Sequence, residues 1–540
     1  MTTFHISDDE RKFREKISPT FAGKKFPLPD PTISPEERMK RRTAHRNEQY
    51  LHKAKSCFSG KPLVSIYPEN FAGKLCSRDE WFSDLWDGLD YGRDFDFSKS
   101  FFQNFAELQA EIPRAATVTI GNENCEFTTG TGYCRNCYLI NSSEYAEDCM
   151  YSKLIQKGRD IVDSSYIYNS ELLYECFNAT NCFDSRYLQN CKNCTDSWFC
   201  KNCIGCSNCF GCVNLRQKQY YFLNKKLTKE EYEKKIAELQ LQKRSSLNNL
   251  RENFLKFTKK FPHKYAEIQN CENCTGDYIL DSKNCRDCYD LEKSEDCWMV
   301  WVGGGNKDVY DCSNMYVKAE LCLETLGVIN TFNTNFCLYV FNSNDLWYCE
   351  QCFSCKNCFG CVGLRNKEYC ILNKQYSKEE YEQKVAEIIE HMIKEKSWGE
   401  FFPIEMSPFP YEETLANYYF PNSSQPKFGT NSKSLSPNLK DLPDEISKTD
   451  DSISREILNC STCTKKYKIQ PAELRFYRKM NLPIPVKCAD CRHEERMKLR
   501  NPRKLYSRQC AKCSAQIQST FSPNQPEIIY CENCFLNCLD

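Results

Sequence analysis

The C-terminal part of the chain carries the residues with the clearest chemistry. Cys460-x-x-Cys463 is followed by Cys488-x-x-Cys491, and Cys510-x-x-Cys513 by Cys531-x-x-Cys534. A CxxC pair in a tight knuckle aims both sulfurs at one ion, and two such pairs make the tetrahedral thiolate cage that zinc prefers. The expected cofactor is Zn2+ in two structural sites; iron in a rubredoxin-like role is the alternative these donors allow. Four protein ligands per ion leave no open position for water or substrate, so the cages predict structure and not catalysis. No catalytic residue is nominated. The histidines His5, His45, His52, His263, His391 and His493 form no HExxH pattern and no Cys/His nucleophile signature. Gly303-Gly-Gly305 lacks the Gly-Lys-Ser/Thr of a phosphate loop. The chain therefore reads as a non-enzyme without a small-molecule substrate.

Beside the cages, Lys487 to Arg508 holds eight Lys or Arg against three acids. Zinc ribbons with an adjacent basic strip grip phosphate backbones. That nominates Arg492, Arg496, Lys498, Arg500, Arg503, Lys504 and Arg508 as contacts to RNA or a ribonucleoprotein. Two other readings stay open. The basic charge can serve to neutralise the thiolate cages, leaving a protein–protein scaffold with no nucleic acid. The cysteine-rich middle of the chain can make a redox or metal-cluster electron-transfer protein.

The 38 cysteines force a choice between metal, packing and disulfides. The start, MTTFHISDDERKFREK, has no apolar signal core, and no run of eighteen apolar residues suggests a membrane span. A reducing cytoplasm is the expected compartment, where paired cysteines read as metal ligands before bridges. With 73 basic and 73 acidic residues the formal charge is zero, so no global field draws the chain to nucleic acid or membrane. Partner identity and oligomeric state are not legible.

The run Cys460-x-x-Cys463-x-x-x-Tyr467-x-Ile469, then Glu473-Leu-x-Phe476-Tyr477, then Pro485-x-x-Cys488-x-x-Cys491-Arg492 resembles a bacterial treble-clef zinc-binding domain family. Together with the cysteine-rich middle and Phe401-Phe-Pro-Ile-Glu-Met-Ser-Pro-Phe409, the whole chain is similar to a group of Cys-rich zinc-ribbon proteins of reduced-genome, candidate-phylum bacteria. The resemblance implies the fold and zinc, and brings no activity.

The elements that must position these cages begin with an internal repeat. Thr195–Leu239 returns at Asn344–Ile388, offset by 149 residues, with 26 of 45 positions identical. Fixed-period self-similarity marks repeat architectures. From about 120 to 224 and 270 to 373, short strand-like fragments alternate with Asn, Asp, Ser and Cys, and cysteines recur eighteen apart, as Cys182 and Cys200. This predicts two β-solenoid modules with coils of about eighteen residues and thiols filling the core. In an extended strand, residues three apart face opposite sides. The spacing-three runs Cys200–Cys212 and Cys349–Cys361 can thus aim all sulfurs inward only if the chain turns. Packed thiols, metal ligands, a cluster or disulfides remain open for them. Thr228 with Glu231 and Ser377 with Glu380 are capping boxes, starting helices that place Tyr232, Ile236 and Leu239, or Tyr381, Val385 and Ile388, on one face.

Residues 1–90 echo the C-terminus: Phe4–Phe13 parallels Tyr467–Phe476, Glu36–Lys40 repeats Glu494–Lys498, and Cys57 and Cys76 match Cys510 and Cys531. Gly60 and Asp79 then replace Cys513 and Cys534, and Asp30 and Ile33 replace Cys488 and Cys491. His45 and His52 could complete a metal site with Cys57 and Cys76. The predicted fold is multi-domain and mainly β, with two helix-capped β-solenoid-like modules flanked by zinc-ribbon/treble-clef domains. The domains are 1–90, a degenerate zinc-ribbon copy; 91–261, solenoid module 1; 262–420, solenoid module 2 with an aromatic strap; 421–454, a flexible linker; and 455–540, the tandem zinc-ribbon domain.

Overall fold

The computed structural model describes residues 4–316, 319–421 and 442–539. It is mainly β, and two β-solenoid runs, Thr119–Phe222 and Ile268–Ile371, dominate it. Their regular coil is twelve residues long, not eighteen, with an eleven-residue step at Ile268–Ile279 and thirteen-residue steps at Lys307–Glu320 and Ser313–Leu326 in the second run. Lys153 pairs in parallel with Ser165, Ser165 with Phe177 and Phe177 with Gln189. On the opposite face Arg159 pairs with Glu171 and Glu171 with Phe183.

Every third residue of the first run has a left-handed φ: 51° at Tyr145, 52° at Asp148, 51° at Tyr151 and 57° at Leu154. The residue that follows each of these turns inward, as Ala146, Cys149, Ser152 and Ile155 do, all buried. The left-handed step resets the alternation of an ordinary strand, so residues three apart share a face. This is how all five sulfurs of Cys200–Cys212 come to lie in the core. The expected eighteen-residue repeat is six of these three-residue steps, a harmonic of the packing period and not the coil.

The same geometry explains the composition. A left-handed L-residue costs about 1–2 kcal/mol, least for Asn and Asp, whose short polar side chains bond locally. Asn181, Asn190, Asn193, Asp196, Asn202 and Asn214 all occupy such positions. Stacked coils then bring their amides into ladders: Asn181 Nδ2 donates to Asn193 Oδ1 at 3.1 Å, and Asn202 to Asn214 at 2.8 Å.

Each solenoid is followed by a capped helix, Lys229–Glu238 and Lys378–Lys394, and both capping boxes form. Tyr381, Val385 and Ile388 are buried, as their spacing predicts, whereas Tyr232 is the only buried residue of the shorter helix. Ahead of the first solenoid, Phe101, Phe105 and Leu108 of the helix Phe101–Glu111 are fully buried. The aromatic strap lies on the second solenoid: Phe401 and Phe402 are buried, and the Phe402 ring sits 4.8 Å from that of Phe105.

The expected flexible linker is partly otherwise. Residues 422–441 lie outside the described residues. From 442 onward the chain packs, with Ile446 and Ile453 in one core with Leu474 and Tyr477, and Asp444 accepting from Ser245 Oγ at 2.6 Å. The C-terminal domain is docked on the solenoids along this path.

Candidate metal centre

Both predicted four-cysteine sets converge. The sulfurs of Cys460, Cys463, Cys488 and Cys491 lie within 4.8 Å of one another, and so do those of Cys510, Cys513, Cys531 and Cys534. Among the described residues these are the groups of three or more His, Cys, Asp or Glu able to hold an ion. Local structure places each ligand. Cys460 and Cys463 occupy a hairpin turn between Leu458–Asn459 and Lys466–Tyr467, closed by the Cys460 amide on the Lys465 carbonyl. Cys488 is the N-cap of the helix Ala489–Met497, and Cys491 is its third residue. The second cage repeats the plan, with a turn at Cys510–Cys513 and a helix, Glu532–Leu536, capped by Cys531.

The spacing fits an ion. Cys463 and Cys488 sulfurs are 3.6 Å apart, and those of Cys513 and Cys531 are 3.7 Å apart. A tetrahedron of 2.3 Å zinc–sulfur bonds has an edge of about 3.8 Å, whereas a disulfide needs about 2.05 Å. A hydrogen bond from Cys488 draws the Cys460 thiol down to about 3, while burial pushes Cys491 up to about 12. Four protein ligands surround each candidate position.

The middle cysteines behave differently. Their thiols donate to carbonyls: Cys191 Sγ to Gln189 O at 3.3 Å and to Cys200 O of the next coil at 3.4 Å. Ser164 does the same from an equivalent inward position, donating to Val162 O at 3.0 Å. Burial pushes the Cys176 thiol up to about 12. In burial and hydrogen bonding these are core side chains.

The nominated nucleic-acid strip is not a free surface, and here the structure corrects the sequence reading. Arg492 and Arg496, both buried, close on Asp163 of the first solenoid at 2.9 and 3.1 Å. Arg492 also reaches Glu473 at 3.3 Å. Arg500 and Arg503 both pair with Asp290 of the second solenoid. Their guanidinium groups stack on aromatic rings, Arg500 on Tyr166 at 4.6 Å and Arg503 on Tyr419 at 4.2 Å. Planar, weakly hydrated guanidinium suits such buried sites. Arg508 donates to the Ser522 carbonyl at 2.9 Å, and only Lys498 and Lys504 of the seven are exposed. Asp163 and Asp290, the solenoid carboxylates that claim these arginines, lie 210 to 333 residues away in sequence, so a count of local charge could not reveal them.

Residues 35–82 follow this plan element by element, and the register differs from the sequence reading. Helix Pro35–Thr43 matches Ala489–Met497, hairpin His52–Lys55/Pro62–Ser65 matches Tyr506–Gln509/Gln516–Ser519, and helix Arg78–Phe82 matches Glu532–Leu536, all offset by 454. The repeated Glu36–Lys40 and Glu494–Lys498 are thus one helical turn out of register. Cys57 and Cys76 are each one residue off the ligand positions, where Ser56 and Ser77 stand, with Ser59 and Glu80 completing the set. Ser34 and Glu37 take the places of Cys488 and Cys491. At both helix starts a capping box, Ser-x-x-Glu, occupies the positions of the knuckle Cys-x-x-Cys. Glu80 accepts from Ser56 Oγ at 2.7 Å and Ser77 Oγ at 2.9 Å. Bonds from Ser59, the Ser77 amide and Ser56 lower its carboxyl to about 2. The four-residue metal set considered for this copy does not assemble. His45 faces the Phe402 carbonyl, His52 pairs with Glu413 at 2.8 Å, Cys57 is exposed, and Cys76 packs in the core.

The docking is repeated too. Arg38 holds Asp311 at 2.8 Å and Glu10 at 3.0 Å, as Arg492 holds Asp163 and Glu473. Arg38 Nη1 donates to the Ile33 carbonyl, and Arg492 Nη1 to the Lys487 carbonyl. No protein-family model matches this chain, and no curated protein matches it. No helix among the described residues is long and apolar enough to cross a membrane.

Proposed function

We propose that the protein is a non-catalytic scaffold organised by two structural zinc ions in tandem treble-clef/zinc-ribbon knots, acting in a reducing, cytoplasmic compartment on a protein partner. The observation that carries this is the join between cage and dock. Cys488 and Cys491 start the same helix that carries Arg492 and Arg496 into Asp163. An ion fixing the start of that helix fixes the arginines, and through them the C-terminal domain on the solenoid. The solenoid body is read as one module built twice, on the strength of the sequence repeat and the two matching docks. The buried state of Arg492, Arg496, Arg500 and Arg503 favours the protein-scaffold reading over RNA contact.

Elemental analysis of the full chain tests this. Two zinc per chain, with loss of the docked domain on exhaustive chelation, is the expected result. A chain that keeps its C-terminal domain protected from protease after chelation, or whose eight ligand sulfurs are joined in disulfides, rules the reading out.

A further inference from the structure

The two solenoids end on the same residues, and the ends differ in what covers them. The repeat at offset 149 sets Leu215 and Arg216 of the first run on Leu364 and Arg365 of the second, and Lys218 on Lys367. It likewise sets Leu223, Asn224 and Lys225 on Leu372, Asn373 and Lys374. On the second solenoid this set holds an acidic turn, residues 87–94, built around the short helix Gly88–Tyr91. Lys367 pairs with Asp87 at 2.8 Å, and Lys374 with Asp94 at 2.7 Å. Asn373 Nδ2 donates to the Gly88 carbonyl at 3.0 Å, and the Arg93 amide to the Leu372 carbonyl at 3.2 Å. Arg365 donates to the carbonyls of Trp81, Ser83 and Trp86. The approach demands glycine: a Cβ on Gly88 would lie 2.8 Å from Leu364 Cδ2, and one on Gly92 2.6 Å from the Asn373 carbonyl oxygen.

The first solenoid keeps this receptor and, among the described residues, carries no such turn on it. Leu223 is 40% exposed where Leu372 is fully buried. Among the described residues the ammonium groups of Lys218 and Lys225 make no ion pair within 4 Å. Arg216 turns back on its own solenoid, donating to the carbonyls of Asn202 and Leu215. Asn224 makes with Val213 the two bonds that Asn373 makes with Val362. Two neighbours differ. A Cβ on Gly363 would meet the Trp86 ring at 3.1 Å, and the first solenoid has Asn214 there. Tyr221 stands in place of Cys370, at the end of the core that Leu89 covers in the second solenoid. These exchanges take away the room for Trp86 and Leu89, and they leave the contacts to the aspartates and to the backbone of the turn.

We propose that the C-terminal end of the first solenoid docks an acidic, glycine-bearing turn of a partner protein. An aspartate at each end of the turn meets Lys218 and Lys225, a backbone carbonyl takes the Asn224 amide, and a side chain smaller than leucine faces Tyr221. The charges are complementary, with two unpaired ammonium groups flanking an exposed leucine, and the second solenoid holds the bound form of the same receptor. The proposal rests on the reading of the protein as a scaffold for a protein partner, and it names the surface that partner uses.

Isothermal titration calorimetry of the zinc-loaded full chain with the peptide of residues 87–95 carrying Leu89→Ala tests this, because the chain's own turn already fills the second solenoid. Saturable one-to-one binding with a Kd below about 1 mM is expected, weakening as salt is added. It should fall roughly tenfold or more in Lys218→Glu/Lys225→Glu, and equally for a peptide whose aspartates are all asparagine. Leu223→Asp, at an exposed position, should abolish it. The proposal is overturned if the peptide does not saturate the chain, or if the asparagine peptide or the folded double lysine variant binds as the parent pair does. It is equally overturned if the chain alone sediments as a dimer that Lys218→Glu/Lys225→Glu dissolves, since a second copy then fills the site. Failure of the peptide on a chain holding two zinc ions removes the dock alone; the scaffold reading falls instead on zinc content and on the protease pattern after chelation.

Discussion

The N-terminal and C-terminal domains solve one structural problem with different chemistry. Each must hold a hairpin turn against the start of a short helix, and each then presses an arginine-bearing helix onto an aspartate in a solenoid wall. In the C-terminal domain eight thiols converge in two groups of four, each able to hold one ion. In the N-terminal domain the equivalent turn and helix start are held by the Glu80 carboxylate and the hydroxyls of Ser56 and Ser77. A capping box and a zinc knuckle place their side chains at the same two helix positions, N-cap and N3. Exchanging one for the other keeps the backbone and dispenses with the metal. What the N-terminal domain loses in ligation it recovers in apolar cover, since Trp81 and Trp86 are buried against the second solenoid while Phe82 stays exposed.

The largest effect expected from breaking this comparison is at a ligand. Structural zinc contributes about 10–16 kcal/mol to folding in small metal domains. Cys488→Ser should reduce zinc from two to one per chain and expose the C-terminal domain to protease, as followed by elemental analysis and limited digestion. Ser34, its counterpart, should tolerate Ser34→Ala at a cost of about 1 kcal/mol, the ordinary value of an N-cap. Next in size is the dock. Asp163 receives two arginines, whereas Asp311 directly pairs with Arg38. Removing one partner of a buried pair costs about 3–5 kcal/mol. Asp163→Ala should therefore lower the denaturation midpoint more than Asp311→Ala, where Arg38 retains Glu10.

The third effect is a gain. Ser56→Cys, Ser59→Cys, Ser77→Cys and Glu80→Cys together should convert the hydroxyl cage into a third zinc site, read as three zinc per chain. In the parent chain acid should separate the two designs. Glu80 has a depressed carboxyl, so its contribution is complete above the ordinary carboxylate range near pH 4.5 and is lost as pH falls towards about 2. Thiolate ligands are protonated, and zinc released, as the medium turns acid. Zinc release into a chromogenic dye should precede the change in Trp81 fluorescence. The reverse order would mean that Glu80 does not hold its end of the fold.

How much of this could be read from the sequence differs by element, for physical reasons. The two converging four-cysteine groups, the helix caps at Thr228 and Ser377 and the thiol-filled solenoid core are legible because each is a local spacing rule. The coil length is not. Inward residues every third position give harmonics at six, twelve and eighteen, and only hydrogen-bond register distinguishes a coil from its multiples. The N-terminal register was misread because identical letters at Glu36–Lys40 outweigh geometry in an alignment by eye. The constraint that matters is which arginine reaches Glu10 and Asp311. The basic strip was misread for a related reason, since Asp163 and Asp290 are neighbours of Arg492 and Arg500 only in the folded chain.

The smallest expected effect separates the two kinds of cysteine most sharply. Cys191→Ser replaces a fully buried thiol with a hydroxyl at a position whose equivalents, Ser164 and Ser185, already donate to the carbonyl two residues back. The hydroxyl is smaller and keeps the bond to Gln189 O, so the loss is limited to sulfur packing. A cost of about 1 kcal/mol is expected, the scale of losing roughly one buried methylene's worth of apolar burial. Zinc content and the protease pattern should not change, and denaturant titration reads the difference. If Cys191→Ser instead removes metal or unfolds the first solenoid outright, the column is a ligand array and not a core, and the line drawn between the middle cysteines and the cages disappears.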